Sequence, residues 1–174
     1  MIIKIIDSLL TKYYISKSKE KQNDFNRILN FGDLVEERIH KRKLLNFHES
    51  CTVHDSSYIY GEIICGENVW FGPNTIIDGL RGNIKIGNNV DLSAGVHVYT
   101  HNTVSKVLTS GEAKIETGDV IIGNNVYIGP NSIITQSVKV GDNVIIGANT
   151  FVDFDIESNS KVYQERTTKI ISID

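Results

Sequence analysis

Through the C-terminal half of the chain an aliphatic residue returns every six positions. After Val120 the text reads IIGNNV YIGPNS IITQSV KVGDNV IIGANT FVDFDI, which sets Ile122, Ile128, Ile134, Val140, Ile146 and Val152 in phase. Four residues after each of these come Val126, Ser132, Val138, Val144, Thr150 and Ile156, and a Gly follows the aliphatic in four of the six units. A period of six is too long for strand alternation and does not fit a helix, so it marks a repeat architecture. Each hexad reads as a short strand plus a tight turn, with the aliphatic turned inward and Gly or Asn taking a backbone conformation that bulky residues resist. Three hexads make one triangular coil of a parallel β-helix. Coils stack about 4.8 Å apart, and each is stable only against its neighbours.

The phase extends backward through Val53, Ile59, Cys65, Phe71 and Ile77, with Ser57, Ile63, Val69 and Thr75 at the smaller position. It slips at Asp78 to Ile84, where three extra residues are expected to bulge from one corner before Ile86, Leu92 and Val98 resume the count. Fourteen hexads, nearly five coils, give a prism on the order of 25 Å tall. Between Val98 and Ile122 the gap is a whole number of sixes, but Ser110 and Glu116 stand where aliphatics belong. Asn102 to Asp119 is therefore expected to be an extruded loop, the kind of segment that carries function on a rigid body. The organisation expected is a helical segment over 1–50, the β-helix over 51–156 with its loop at 102–119, and a tail over 157–174.

Ahead of the repeat, Met1 to Ile15 has the apolar spacing of an amphipathic helix, expected to pack on the repeat body or on a second subunit. Ser16 to Asp24 is polar and reads as a loop. Phe25 to Phe31 reads as a short helical piece ending at Gly32, and Asp33 with Glu36 has the capping-box spacing ahead of a second helix, Leu34 to Leu45. These helices would cover the open lower end of the solenoid.

Composition narrows the picture. Lys and Arg number 18 against 21 Asp and Glu, which argues against nucleic acid or an acidic membrane surface as partner. Lys4 and Asp7 interrupt the first apolar run, so neither a signal peptide nor a membrane span is expected, and the chain reads as cytoplasmic. Cys51 and Cys65 lie in no metal or redox spacing and read as small apolar fillers.

One group stands out chemically. Tyr99-Thr100-His101-Asn102 sits at the mouth of the loop, and the phase puts His101 at a corner, pointing away from the core. Neutral imidazole suits removal of a hydroxyl proton at neutral pH. The segment VYTHNTVSKVLTSGEAKIETGDVIIGNNVYIGPNSI resembles the hexapeptide-repeat acyltransferases that O-acetylate sugars, in which a YTHD-type motif before a long loop carries the catalytic histidine. The resemblance covers roughly Val53 to Ile171. It implies a left-handed β-helix, a homotrimer, and acetyl-CoA as acyl donor, with His101 as general base.

The resemblance also implies a donor site at Gly129 in YIGPN and at Gly147 and Ala148 in IIGAN, with Tyr127 beside the cofactor and Lys169 meeting its phosphates. It implies a substrate-binding role for Asp78, whose other role is to cap its own turn, and for Asn102 beside the base. Several motifs depart from the pattern: GxPAK becomes Glu165-Arg166-Thr167-Thr168-Lys169, Phe154 replaces a Lys near the donor, Asp153 and Asp155 add negative charge, and Pro130 lacks an N–H. His97 lies four residues before His101, but no third His follows, so no metal site is expected. The function implied is O-acetylation of a sugar hydroxyl, in bacterial surface-polysaccharide assembly. N-acetylation of an amino sugar nucleotide and a non-catalytic scaffold are the alternatives.

Overall fold

Inward-pointing aliphatics set the architecture. The computed structural model describes residues 2–35 and 38–165. Its chain starts with α1 (Ile2–Phe25), α2 (Phe31–Val35) and α3 (Arg38–Leu44). The lowest two coils follow as β1 (Thr52–Val53), β2 (Tyr58–Cys65), β3 (Val69–Phe71) and β4 (Ile76–Ile86). The third coil begins with β5 (Val90–Leu92) and β6 (His97–Tyr99). It opens into an arm built from β7 (His101–Asn102), α4 (Val104–Leu108) and β8 (Glu116–Thr117), and closes with β9 (Val120–Ile122). Above it lie β10 (Val126–Ile128), β11 (Ile133–Ile134), β12 (Lys139–Val140), β13 (Ile145–Ile146), β14 (Phe151–Val152) and β15 (Lys161–Val162).

The strands form three faces of a parallel β-helix. Face one is the ladder β1-β3-β5-β10-β13-β15. Face two stacks β6, β11 and β14 on the first half of β4, and face three stacks β9 and β12 on its second half. Beneath β4, β2 follows both faces round their shared corner. Phe71, Ile77, Ile86, Leu92, Val98, Ile122, Ile128, Ile134, Val140, Ile146 and Val152 are all at most 4% exposed, as the six-residue period predicts. Each such side chain contributes about 2 kcal/mol of burial. At the second inward position Ser132 Oγ and Thr150 Oγ1 donate to the Gly147 carbonyl at 2.8 and 2.7 Å, whereas the buried Thr75 Oγ1 has no hydrogen-bond partner among the described residues.

Asparagines hold one corner. Asn68, Asn89, Asn125, Asn143 and Asn159 have φ between 55° and 61°, the left-handed conformation that Asn tolerates better than other residues with a side chain. Their side chains form a column, each Nδ2 donating to the Oδ1 one rung up, at 3.1, 3.0, 3.0 and 3.1 Å.

Where the period breaks, the structure departs from the sequence reading in instructive ways. The three extra residues near Asp78 bulge at one corner as expected, but without breaking the strand. They lie within the continuous strand β4, where the register against β2 shifts between Gly61 and Ile63. Face one carries six rungs, because β15 pairs with β13 beyond the last hexad counted. Ser16 to Asp24 is helical, not a loop: Lys17 and Glu20 form an ion pair one turn apart at 2.8 Å, and α1 runs on to Phe25, with Asn26 at φ 52° after its end. Phe25 to Phe31 is therefore no helical unit. The cap before α2 is Asn30, whose Oδ1 accepts the Asp33 N–H at 3.0 Å, so Asp33 lies inside the helix; Glu36 lies outside the described residues.

The lower end is covered as expected, but by α2, α3 and the turn after α3. Phe47 stacks on Phe71 with ring centroids 5.4 Å apart, Leu34 is buried, and Lys41 Nζ donates to the carbonyls of Asp55 and Ser57. Cys65 is partly buried beside Cys51, and burial first, then that neighbour, pushes its thiol up to about 12, a value that keeps it protonated and inert. In contrast, α1 has no buried residue and touches α2 through the Tyr14–Phe31 ring pair, 6.2 Å apart.

Substitution in the asparagine column separates its two contributions. Asn125→Ala is expected to cost about 2 kcal/mol in urea unfolding, from the left-handed backbone and the lost side-chain hydrogen bonds. Asn125→Gly is expected to cost about half as much, because glycine relieves the backbone part.

Candidate active site

The corner between faces two and three concentrates the irregular chemistry. On the lower rungs it is crossed by β2 and β4, and on the third it emits the arm. Thr100, fully buried, fixes the neck. Its N–H and Oγ1 donate to the Asp78 carbonyl at 3.1 and 2.8 Å, and its carbonyl accepts the Gly118 N–H at 2.9 Å. His101 and Asn102 then pair antiparallel with Thr117 and Glu116. The predicted loop is thus an arm with its own two-stranded base. Glu116 ties it together by accepting from Ser105 Oγ and, at 3.0 Å, from Asn102 Nδ2. These two donors hold its carboxyl below the usual value of 4.5. Asp119 fastens the returning strand to the rung below through the Asn83 N–H and Nδ2 at 2.7 and 3.0 Å, which hold its carboxyl below the ordinary range.

A cleft of about 420 Å³ opens where the arm leaves the body. His101, Asn102 and Tyr99 form one wall, Val104 of the arm another, and Ile133, Thr135, Phe151 and Asp153 the rungs above. His101 is half-buried, and its Nδ1 is enclosed with no hydrogen-bond partner among the described residues. The His101 ring lines the cleft. Beside it, the Tyr99 hydroxyl lies 3.1 Å from His97 Nδ1. Burial, and secondarily Asp78, keep the Tyr99 phenol above its ordinary value, so it stays a donor at neutral pH. Asp78 is in register with Tyr99 on the rung above and caps its own turn, Oδ1 accepting the Leu80 N–H at 3.1 Å.

The other predicted site residues do not gather here. Tyr127 lies on face one, 42% exposed, in register with Asp91 below and Ile145 above. Gly129, Gly147 and Ala148 stack at the corner between faces one and two. A Cβ on Gly129 would come within 2.5 Å of the Ala148 nitrogen, so the close approach of successive turns requires glycine there. Lys169 lies outside the described residues. The sequence reading missed Ile133, Thr135 and Phe151 as cleft residues. Ile133 and Phe151 are apolar at the outward position just before an inward aliphatic, but so are Ile121 and Ile145, so that position does not single them out. Among the described residues no three His, Cys, Asp or Glu side chains are grouped to hold a metal ion, and no helix is long and apolar enough to cross a membrane.

Two family models match the chain, one on each side of the arm. Residues 62–100 match the hexapeptide repeat of succinyl-transferase, and residues 119–153 match the bacterial transferase hexapeptide of six repeats. No curated protein sequence gives a significant match. Among solved structures, AntD, an N-acyltransferase from Bacillus cereus bound to dTDP and 3-hydroxybutyryl-CoA, superposes with a TM-score of 0.57 at 18% identity, over 70% of this chain and 79% of its own. A maltose O-acetyltransferase from Clostridium difficile is similar with a TM-score of 0.51 at 28% identity, over 90% of this chain and 83% of its own. A hexapeptide-repeat acetyltransferase from Vibrio cholerae reaches 0.50 at 20% identity, over 94% and 88%. The solenoid is therefore a left-handed β-helix of the hexapeptide-repeat type.

The arm's tether yields a test that needs no substrate. Because the Glu116 carboxyl is depressed, the tether holds at and above the ordinary Glu range and is lost only as the pH falls through its lowered value. Glu116→Ala is expected to raise amide hydrogen exchange across Val104–Leu108 by about tenfold at pH 7 while leaving β9 and β10 unchanged.

Proposed function

We propose that this chain, a hexapeptide-repeat acyltransferase, moves an acetyl group from acetyl-CoA to a sugar hydroxyl, with His101 as the general base. The observation that carries the reading is the placing of His101: a half-buried imidazole with an unpartnered Nδ1, lining a cleft at the base of an ordered arm. A base acting through Nε2 carries its proton on Nδ1, so the acceptor hydroxyl approaches from the cleft and gives its proton to Nε2 as attack proceeds. The imidazolium then returns that proton to the departing sulfur. Asn102, whose Oδ1 accepts the Val104 N–H at 3.1 Å, holds the arm beside the base, and Asp78 offers its second carboxylate oxygen to an acceptor hydroxyl from the rung below.

The residues of the donor row fit a slender pantetheine arm. Gly129, Gly147 and Ala148 leave their corner without long side chains, and Tyr127 and Ile145 present an exposed apolar strip alongside it. Tyr127 and His101 lie on different faces of one chain. In a homotrimer, face one of one copy meets the His101 cleft of the next, and each site draws on two subunits. Lys169 is the residue proposed to meet the nucleotide phosphates. A cytoplasmic place in surface-polysaccharide assembly suits an enzyme using this donor. The scaffold reading leaves the cleft and its unpartnered imidazole without a purpose.

Calorimetric titration with CoA and acetyl-CoA tests the donor without the acceptor: binding near one site per chain is expected, and none at millimolar ligand would overturn acyl transfer. His101→Ala is expected to keep that binding and to lower thiol release from acetyl-CoA, over a panel of sugars, by about 10²- to 10⁴-fold.

A further inference from the structure

Helix α1 leaves its apolar side chains unburied. It runs for 24 residues, buries none of them, and meets α2 through Tyr14, whose ring lies 6.2 Å from that of Phe31 and whose hydroxyl donates to the Leu29 carbonyl at 3.4 Å. Its first half is divided lengthwise. At 3.6 residues per turn every apolar residue from Ile2 to Tyr14 falls in one arc of roughly 180°, and Lys4, Asp7, Ser8, Thr11 and Lys12 fill the other. Leu10 and Tyr14, toward one edge of the apolar arc, line a groove against Phe31. Beyond them Ile2, Ile5, Ile6, Leu9 and Tyr13 are 43–71% exposed. A contiguous apolar surface of this extent on a folded protein marks a place of interaction.

Width and charge decide what covers it. A second copy of α1 would need a seam of apolar residues at alternating spacings of three and four. Ile2, Ile6, Leu9 and Tyr13 begin one, but Ser16 and Glu20 stand where it would continue, so it ends short of two heptads when a coiled coil needs roughly three to four. A face half the helix wide, with a polar back, is the form of a helix lying in a bilayer surface. The charge agrees. Five lysines against Asp7, Glu20 and Asp24 give α1 a charge of +2 within a chain of −3, which leaves −5 on the remainder. The whole-chain balance, which argues against an acidic membrane, conceals this segregation. A basic helix on an acidic body turns that helix, and not the body, toward anionic headgroups.

We propose that α1 binds the surface of a bilayer containing anionic lipid, lying in its plane with the apolar arc of Ile2 to Tyr14 toward the acyl chains and the lysines among the headgroups. α2 and α3 cover the lower end of the solenoid and α1 adjoins α2, so α1 belongs to that end. In the homotrimer proposed above, cyclic symmetry points all three lower ends the same way, and three copies of α1 meet one plane together. That gain in avidity rests on the trimer. The contact of a single α1 with lipid rests on neither the trimer nor His101.

Flotation of the full chain with vesicles of about 7:3 phosphatidylcholine to phosphatidylglycerol tests this without donor or acceptor. The chain is expected to float with these vesicles, and phosphatidylcholine alone to bind at least about threefold less. Ile6→Gln together with Leu9→Gln removes apolar surface without changing charge, and is expected to lower binding at least about tenfold. The thermal midpoint should stay within a few degrees, because neither side chain is buried. No flotation, equal flotation on the two lipids, or unchanged flotation of the double variant would overturn the proposal. So would a smaller mass by light scattering in the double variant without lipid, since the face would then serve a second copy. Donor calorimetry is independent of all these outcomes, so failure here is distinguishable from failure of the acyl-transfer reading.

Discussion

The left-handed asparagine column is the constraint on which the other features rest. A hexad must turn sharply after each strand, and the turn needs a residue at positive φ whose side chain compensates for the cost of being there. Asn does both, because its amide at one rung donates to the amide oxygen at the next. The bond from Asn89 to Asn125 is the informative one. Those residues are 36 apart in sequence and adjacent in space, since the intervening arm stands in for a whole coil. The column therefore keeps the register above and below an insertion that would otherwise leave each half free to slip.

With one corner tied, another is free to vary. The junction of faces two and three holds three extra residues in β4, the whole arm on the third rung, and the cleft above it. Variation there costs little because the inward residues on both sides remain in phase: Val98 and Ile122 are buried on either side of the arm. The arm runs from 102 to 119, eighteen residues, the length of three hexads. The coil re-enters on the correct face because the two ends of the arm meet at the neck, where the Gly118 N–H donates to the Thr100 carbonyl.

Most of this was legible in the sequence because the period reports directly on burial. Most inward positions and the interruption between Val98 and Ile122 follow from counting sixes, whereas His101, expected to be exposed at its corner, is half-buried. Counting fails where local chemistry and repeat phase separate. Ser16 to Asp24 is polar without glycine or proline, and a helix of that composition is held by pairs such as Lys17 and Glu20, which polarity alone does not reveal. The three-residue bulge of β4 was legible from the slip in phase, but not that the strand continues on either side of it. The cleft residues Ile133 and Phe151 were hidden for a different reason: an outward apolar residue carries no phase information until its neighbours across the rungs are known.

What the sequence could least supply is which outward residues share a face. Tyr127 and His101 both lie beside the arm in the text, yet they point from different sides of the prism. Conversely, Trp70, Asp91 and Tyr127 are scattered over more than fifty residues and stand in one vertical row. A solenoid converts sequence distance into height and phase into direction, so side chains meet when their rungs are adjacent and their phases agree. Within one chain the His101 cleft and the Asp91 row are therefore separate, and only a second copy can bring them together. The His101 cleft belongs to the variable corner, where the arm can reshape it, whereas the Asp91 row belongs to a regular face, where its geometry is fixed by the same register that the asparagine column enforces.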